Sequence, residues 1–385
     1  MLEIEKNIKE FLTKISFPRL SGTLHEEKAF EIISNRIKNL GLNPTIQNFK
    51  FSPFYSTWYP KISFLIINLI IVIFFLNIKH IIFPIILMII SFFALTLYLI
   101  TRKPETIKVG KVLRSQNLHV QIPSKASESL GTILFFCHVD SKGQTFNILN
   151  RIRIIRTHVF TLIPLIFIII LKNYIIPQFS EIFLFLGMIL FVINCCSTIL
   201  FLFNFTNNKS PGSIDDGSGI VVVYELLKFF SRTSNKLNNY DLWFVFTGAE
   251  EQGTMGIRFF YNLIKYLDKT KLIIFNFDAI AKDVFFFPSK HSTSDMNWLT
   301  QKIFNNDIGL AINKNPKKIY FGSHSDGYFL KKKGLKGFGI GDMKSYKYIH
   351  TINDKIDKIN VSTLKKLIHL IINLIKEFDI AFSLK

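Results

Sequence analysis

Four long apolar stretches limit what this chain can fold into more than any other feature. They are ISFLIINLIIVIFFLNI (62–78), IIFPIILMIISFFALTLYLI (81–100), VFTLIPLIFIIIL (159–171) and IFLFLGMILFVINCCSTILFLF (182–203). A helix needs roughly 20 apolar residues to cross about 30 Å of hydrocarbon. Each stretch is near that length, the third only if it extends to Ile176. Lys79 and His80 separate the first pair, and a short polar connector separates the second. The pattern therefore predicts two transmembrane hairpins, over 57–103 and 150–208. Buried helices of a soluble core are the alternative, but paired uncharged runs of this length are rare in soluble domains. A hydrophobic content of 49% and a mean hydropathy of +0.30 also exceed what an ordinary soluble enzyme carries.

A hairpin starts and ends on one side of a bilayer, so 1–56, 104–149 and 209–385 should share one compartment. Their flanks carry Lys61, Arg102, Lys103, Lys108, Arg151, Arg153, Arg156 and Lys209, whereas the far connectors offer mainly Lys79 and Lys172. By the positive-inside rule this predicts a multi-pass integral membrane protein with its water-soluble part on the cytoplasmic side. The formal net charge of +20 is spread along the chain or beside the apolar runs. With no zinc-finger spacing, phosphate-cradling loop or basic helix, the expected partner is the lipid bilayer and not nucleic acid. Cys137, Cys195 and Cys196 are the three cysteines, and the vicinal pair reads as small hydrophobes in an apolar run. No disulfide framework is expected. The charged, amphipathic start MLEIEKNIKEFLTKI does not resemble a secretory signal.

Outside the apolar stretches the pattern is α/β. EKNIKEFLTKI and LHEEKAFEIISNRIKNLG have helical spacing, and the second stops at Gly41. NPTIQNFKF, NLHVQIP, GTILFFCHVD, DLWFVFTGAEE and KLIIFNFDAI are short β-rich runs bounded by turn residues. Helices at 218–230 and 255–267 alternate with them, which predicts a sheet covered on both faces. A last helix over 361–379 places Leu364, Leu367, Ile368, Ile371, Leu374, Ile375 and Phe378 on one stripe, expected to pack against the sheet.

The chemistry-bearing residues fall at strand ends, where open α/β sheets bind ligands. In FFCHVDS, His138 and Asp140 straddle one residue and so point to the same side of an extended chain. SPGSIDDGSG places Asp215 and Asp216 ahead of a helix, where one aspartate could cap but two exceed that need. FTGAEEQGTMG puts Glu250 and Glu251 side by side after a buried strand, and FNFDAI ends its strand on Asp278. His350 precedes a charged segment and, alone, reads as a surface histidine. Taken in order, these residues are the inventory for two zinc ions sharing a carboxylate, with one glutamate left to act as a base. Adjacent carboxylates are tolerable when one neutralises a cation and the other takes a proton from water.

Five motifs in this order resemble the M28 family of zinc aminopeptidases. The family's H-x-D corresponds to His138-Val139-Asp140, its aspartate-rich helix entry to GSIDDGSG (212–219), and its E-E-x-G-x-x-G to EEQGTMG (250–256). Its N-x-D corresponds to Asn276-Phe277-Asp278, and its final histidine motif to HTINDKIDKI (350–359). The opening FPRLSGTLHEEKAFEII is similar to the family's first helical region. The resemblance implies a three-layer zinc-exopeptidase-like α/β fold with a central mixed β-sheet flanked by helices. It also implies two Zn2+, with His138 and Asp278 on one, Glu251 and His350 on the other, and Asp215 bridging. Glu250 is then the general base, Asp140 orients His138, and a cis peptide falls between Asp215 and Asp216. The implied substrate is a peptide with a free N-terminus.

Two features depart from the family. The interval from His138 to Asp215 is long and contains the third and fourth apolar stretches. Near GSHSDGYFLKKKG (322–334) the family often has Ser-Asp-His, but here Gly327 follows Asp326 and His324 precedes it. That leaves the substrate side-chain preference open. A glutaminyl-cyclase-like single-zinc enzyme and a non-catalytic, receptor-like protein on the same fold remain the competing expectations.

Overall fold

The apolar runs at 131–138 and 272–277 fold as adjacent strands in the middle of a sheet, buried along almost their whole length. Strands covered on both faces read as continuous Val/Ile/Leu/Phe runs, without alternation. The computed structural model describes residues 2–76, 83–289, 293–306, 310, 312–313 and 325–382. His324 lies outside them.

The strands are β1 (Thr45–Phe51), β2 (Leu113–Ile122), β3 (Gly131–His138), β4 (Gly143–Gln144), β5 (Thr206–Asn207), β6 (Tyr240–Thr247), β7 (Leu272–Phe277), β8 (Val284–Pro288), β9 (Ile312–Asn313) and β10 (Lys336–Gly341). The helices are α1 (Leu2–Ile15), α2 (Leu24–Lys38), α3 (Phe54–Phe75), α4 (Phe83–Thr101), α5 (Ile148–Ile170), α6 (Ser180–Leu202), α7 (Gly219–Phe230), α8 (Met255–Ile264), α9 (Ser294–Phe304), α10 (Asp326–Lys332) and α11 (Val361–Ala381). Two units divide the chain: Met1–Phe51 with Leu113–Gly143 and Asn207–Lys385, and Ser52–Val112 with Gln144–Thr206.

The first unit is built on an eight-stranded mixed sheet of order β1-β2-β6-β3-β7-β10-β8-β9. β6, β3, β7 and β10 run parallel; β1 pairs antiparallel with β2, β2 with β6 and β8 with β10, while β9 runs parallel to β8. The β1–β2 ladder closes on the pair Phe51–Leu113. On one face, Leu134, Phe136, Val245 and Ile274 pack with Ile257, Phe260 and Ile264 of α8 and Leu330 of α10. Alternation turns Ile133 and Phe135 to the other face, which α7 covers. The apolar stripe of α11 is buried, as its spacing predicts, but against α1, α7 and α9. Gly337 in β10 has φ +150°, and a Cβ there would strike the Ile274 carbonyl of β7, so this strand accepts only glycine at that point.

In the second unit, Phe54–Phe75, Ile148–Ile175 and Pro177–Leu202 are long and apolar enough to cross a membrane. α4 contributes a shorter apolar stretch, Met88–Leu99. Three such spans, rather than four, are therefore evident among the described residues. Ile71, Phe75, Leu165 and Ile169 form the core of this unit, and Gly187 lets α6 approach the Phe75 ring. Asn194 donates to the His158 carbonyl at 3.0 Å and to Thr161 Oγ1 at 2.8 Å, and Asn68 donates to Asn194 Oδ1 at 3.3 Å. Such hydrogen bonds between apolar helices fix their register. Outward, Phe92, Phe160, Phe167, Phe185 and Ile189 are exposed, a surface that water would not tolerate but lipid would.

Candidate metal centre and active site

The parallel strands end on one edge of the sheet and bring the candidate residues together there. β3 ends on His138, β6 leads through Thr247 to the glutamate pair, and β7 is followed by Asp278. Asp215 enters from the turn before α7, and His350 from the segment before α11. Their ligating atoms form two triads, each within 4.8 Å: His138, Asp215 and Asp278, and Asp215, Glu251 and His350. His138 Nε2 lies 2.9 Å from Asp215 Oδ1 and 3.9 Å from Asp278 Oδ1. His350 Nε2 lies 3.2 Å from Asp215 Oδ2 and 2.6 Å from Glu251 Oε1. Asp215 faces both imidazoles with different oxygens. His350 is therefore a buried member of the cluster and not a surface histidine.

The backbone is held in uncommon conformations beside these residues. Ala249 (φ 51°) precedes Glu250, Ala279 (φ 56°) follows Asp278, and His350 itself has φ 62°. Left-handed non-glycine residues cost of order 1–3 kcal/mol each and cluster at functional sites. The expected cis peptide joins Asp215 to Asp216.

A layer of polar residues fastens the cluster from behind. Asp140 directs its backbone oxygen to His138 Nδ1 at 3.0 Å, while its carboxylate lies 3.5 Å from that nitrogen. The same carboxylate accepts the Glu250 and Glu251 amides, both at 3.0 Å, and the Ser21 hydroxyl at 2.5 Å. Asp140 thus ties the histidine turn to the glutamate pair. Asp216 accepts from the amides of Gly219 at 2.9 Å and of His138 and Ala279 at 3.2 Å each, so the second aspartate joins three segments. Glu26 accepts from the amides of Gly22 and Ala249 and from Ser115 Oγ. Asp354 accepts the Ile214 amide at 2.6 Å, and buried Arg19 donates to five backbone carbonyls around the same turns. Asp326 pairs with Thr247 Oγ1 at 2.5 Å.

So many carboxylates in a buried cleft cannot all carry charge. Burial pushes the Glu250 carboxyl well above the usual range; His138 opposes, and Asp326, Glu251 and Asp278 add to the rise. Burial and the nearby Asp215 raise Asp278 to about 7. Burial acts the same way on Asp215, but hydrogen bonds to His138 and His350 outweigh it and hold that carboxyl low. Burial is likewise overcome at Glu251, where His350 and Lys142 bring the value down to about 2. Glu251 Oε1 is buried and stands 2.6 Å from His350 Nε2. Two lone-pair-bearing atoms at that distance need a cation or proton between them, and the donor set of imidazoles and carboxylates suits zinc.

Imidazoles and carboxylates gathered at the carboxyl ends of parallel strands in a mixed α/β sheet define a candidate metal centre. The Peptidase family M28 model matches residues 198–375, a little under half of the chain. A vacuolar membrane protease of Vanderwaltozyma polyspora is 29% identical over 172 residues, which span 44% of this chain and 18% of that protein. The chain therefore matches less than a fifth of that relative's length.

Among solved structures, the aminopeptidase from Aneurinibacillus sp. strain AM-1 superposes with a TM-score of 0.58 at 15% identity, over 97% of this chain and 93% of that one. A zinc aminopeptidase from Bacillus subtilis gives 0.54 at 14%, over 97% and 95%. A glutaminyl cyclase from an Acidobacteriales bacterium gives 0.55 at 15%, over 98% and 94%. At these identities the likeness is one of fold.

Proposed function

We propose that the chain is a membrane-anchored di-zinc aminopeptidase that hydrolyses N-terminal peptide bonds. The observation carrying this reading is the pair of triads that share Asp215, with Glu250 buried beside them. His138, Asp215 and Asp278 would hold one zinc ion, and Asp215, Glu251 and His350 the other. Zinc, when bound, polarises the scissile carbonyl and makes water more acidic. Glu250 serves as general base: its carboxylate takes a proton from the attacking water and passes it to the leaving amine. Such proton transfer typically contributes about 10²- to 10⁴-fold in rate. Asp140 keeps the base in place by holding the 250 and 251 amides and keeps His138 oriented through its own carbonyl.

The substrate is a peptide with a free N-terminus, as the aminopeptidase neighbours suggest. The apolar helices act as two hairpins with four spans, counting α4, and the peptidase domain faces the cytoplasm, as the flanking lysines and arginines favour. Elemental zinc analysis with a panel of aminoacyl fluorogenic substrates tests the proposal. Two zinc ions per chain and release of the N-terminal residue are expected. The glutaminyl cyclase neighbour supplies the second reading, and a single zinc with cyclisation of N-terminal glutamine would select it. An absence of zinc and turnover would select the receptor-like alternative.

A further inference from the structure

Lys142 sits four residues beyond His138 and reaches the second glutamate. Its Nζ donates to the Glu251 carbonyl at 2.8 Å and stands 3.1 Å from Glu251 Oε2. The side chain is 10% exposed, and no step of the proposed hydrolysis uses it. The lysine occupies one oxygen of Glu251, while the other, Oε1, faces His350 Nε2 at 2.6 Å.

The two triads differ in their charged surroundings. Near His138, Asp278 and their shared Asp215 stand further carboxylates: Asp140 with Oδ1 3.5 Å from His138 Nδ1, and Asp216 accepting the His138 amide. The Glu251 triad instead has an ammonium group in direct contact with one of its members. An ammonium and a divalent cation drawing on one carboxylate repel each other, and within a partly desolvated cleft that repulsion is weakly screened.

We propose that Lys142 is a positioning residue that makes the two metal positions unequal, presenting Glu251 through Oε1 alone and weakening cation binding at the Asp215, Glu251 and His350 position. The His138, Asp215 and Asp278 position then fills first. The inference rests on the di-zinc reading above.

The experiment uses the full chain purified in detergent micelles, stripped with a chelator, and titrated with Zn2+ by calorimetry alongside elemental analysis. The wild type is expected to bind two ions in separate phases. Lys142→Met, which keeps the stem but removes the charge, should tighten the weaker phase by at least about tenfold. Lys142→Arg, which keeps the charge, should retain two separated phases. A weaker phase that is unchanged or loosened in Lys142→Met overturns the proposal. Lys142→Gln decides the matter if the Met variant does not fold. Should the wild type itself bind one zinc or none at saturation, the di-zinc reading fails, an outcome told apart by involving no variant.

Discussion

Replacing Arg19 with Met should destabilise the peptidase unit by roughly 3 to 5 kcal/mol. The side chain is completely buried, and it donates to Val139 O at 2.5 Å, Pro211 and Gly212 O at 2.8 Å each, Ile15 O at 3.0 Å and Phe17 O at 3.2 Å. Each buried carbonyl left without a donor costs about 1–3 kcal/mol. Relaxation lets some find other partners, which is why the sum is not taken in full. Burial acts against the guanidinium, but Asp354, Asp216, Asp140 and Asp215 favour it. Arg19→Lys therefore keeps the charge those carboxylates favour but loses the forked geometry, and its loss should be about half that of Met. Thermal unfolding of the detergent-solubilised chain, followed through tryptophan fluorescence, reads both variants. At roughly 2–4 °C per kcal/mol for a unit of this size, the Met variant should melt about 10 °C early. A Met variant within about 1 kcal/mol of wild type, or a Lys variant melting below it, refutes the reasoning.

Glu250→Gln should retain its zinc and lose about 10²- to 10⁴-fold in kcat, measured by elemental analysis beside fluorogenic hydrolysis; preserved turnover contradicts the role of base. Gly327→Ala should cost about 1–3 kcal/mol, because its Cβ would sit 2.8 Å from Asn276 Cβ, and a melting temperature equal to wild type would count against that contact. Glu26, raised to about 8 by burial and Asp140, holds a proton in the folded state that it releases when unfolded at neutral pH. Its contribution is thus fully present below about pH 4.3 and is lost as pH rises through about 8. Melting temperatures of Glu26→Gln should fall less between pH 5 and 9 than those of wild type, and parallel curves would exclude the protonated form.

The parts of this fold that were legible in the sequence are those with local signals. GTILFFCH and LIIFNF announce central strands because both faces of each are covered. β10, KGFGIG, carries no such signal, since three glycines have little intrinsic strand preference; pairing with β7 and β8 makes it a strand. At the site, His138, Glu250, Glu251 and Asp278 could be picked out because polar residues at the ends of apolar runs are conspicuous, and Asp215 because two aspartates exceed a helix cap's need, whereas His350 stood out only through the ordered motifs of the family resemblance. The side chains behind them were not. Glu26 looks like an ordinary first-turn acid on an amphipathic helix, although it reaches Ala249 across the fold. Arg19 and Asp354 look like surface charges, and their buried partners come from distant segments. Asp140 was legible as a partner of His138, but its carboxylate's hold on the glutamate amides depends on how β3 and β6 lie side by side.

Residues 52–112 leave the sheet after Phe51 and return at Leu113, which is Phe51's own ladder partner. Residues 144–206 leave after Gly143 and return at Asn207, whose side chain lies against that glycine. Each excursion is a detour with neighbouring exits, and the entropy of closing a loop grows only with the logarithm of its length. A chain of this kind can acquire or shed such a graft without re-registering a single strand. Short turns spliced across these two junctions would leave every ladder of the eight-stranded sheet intact.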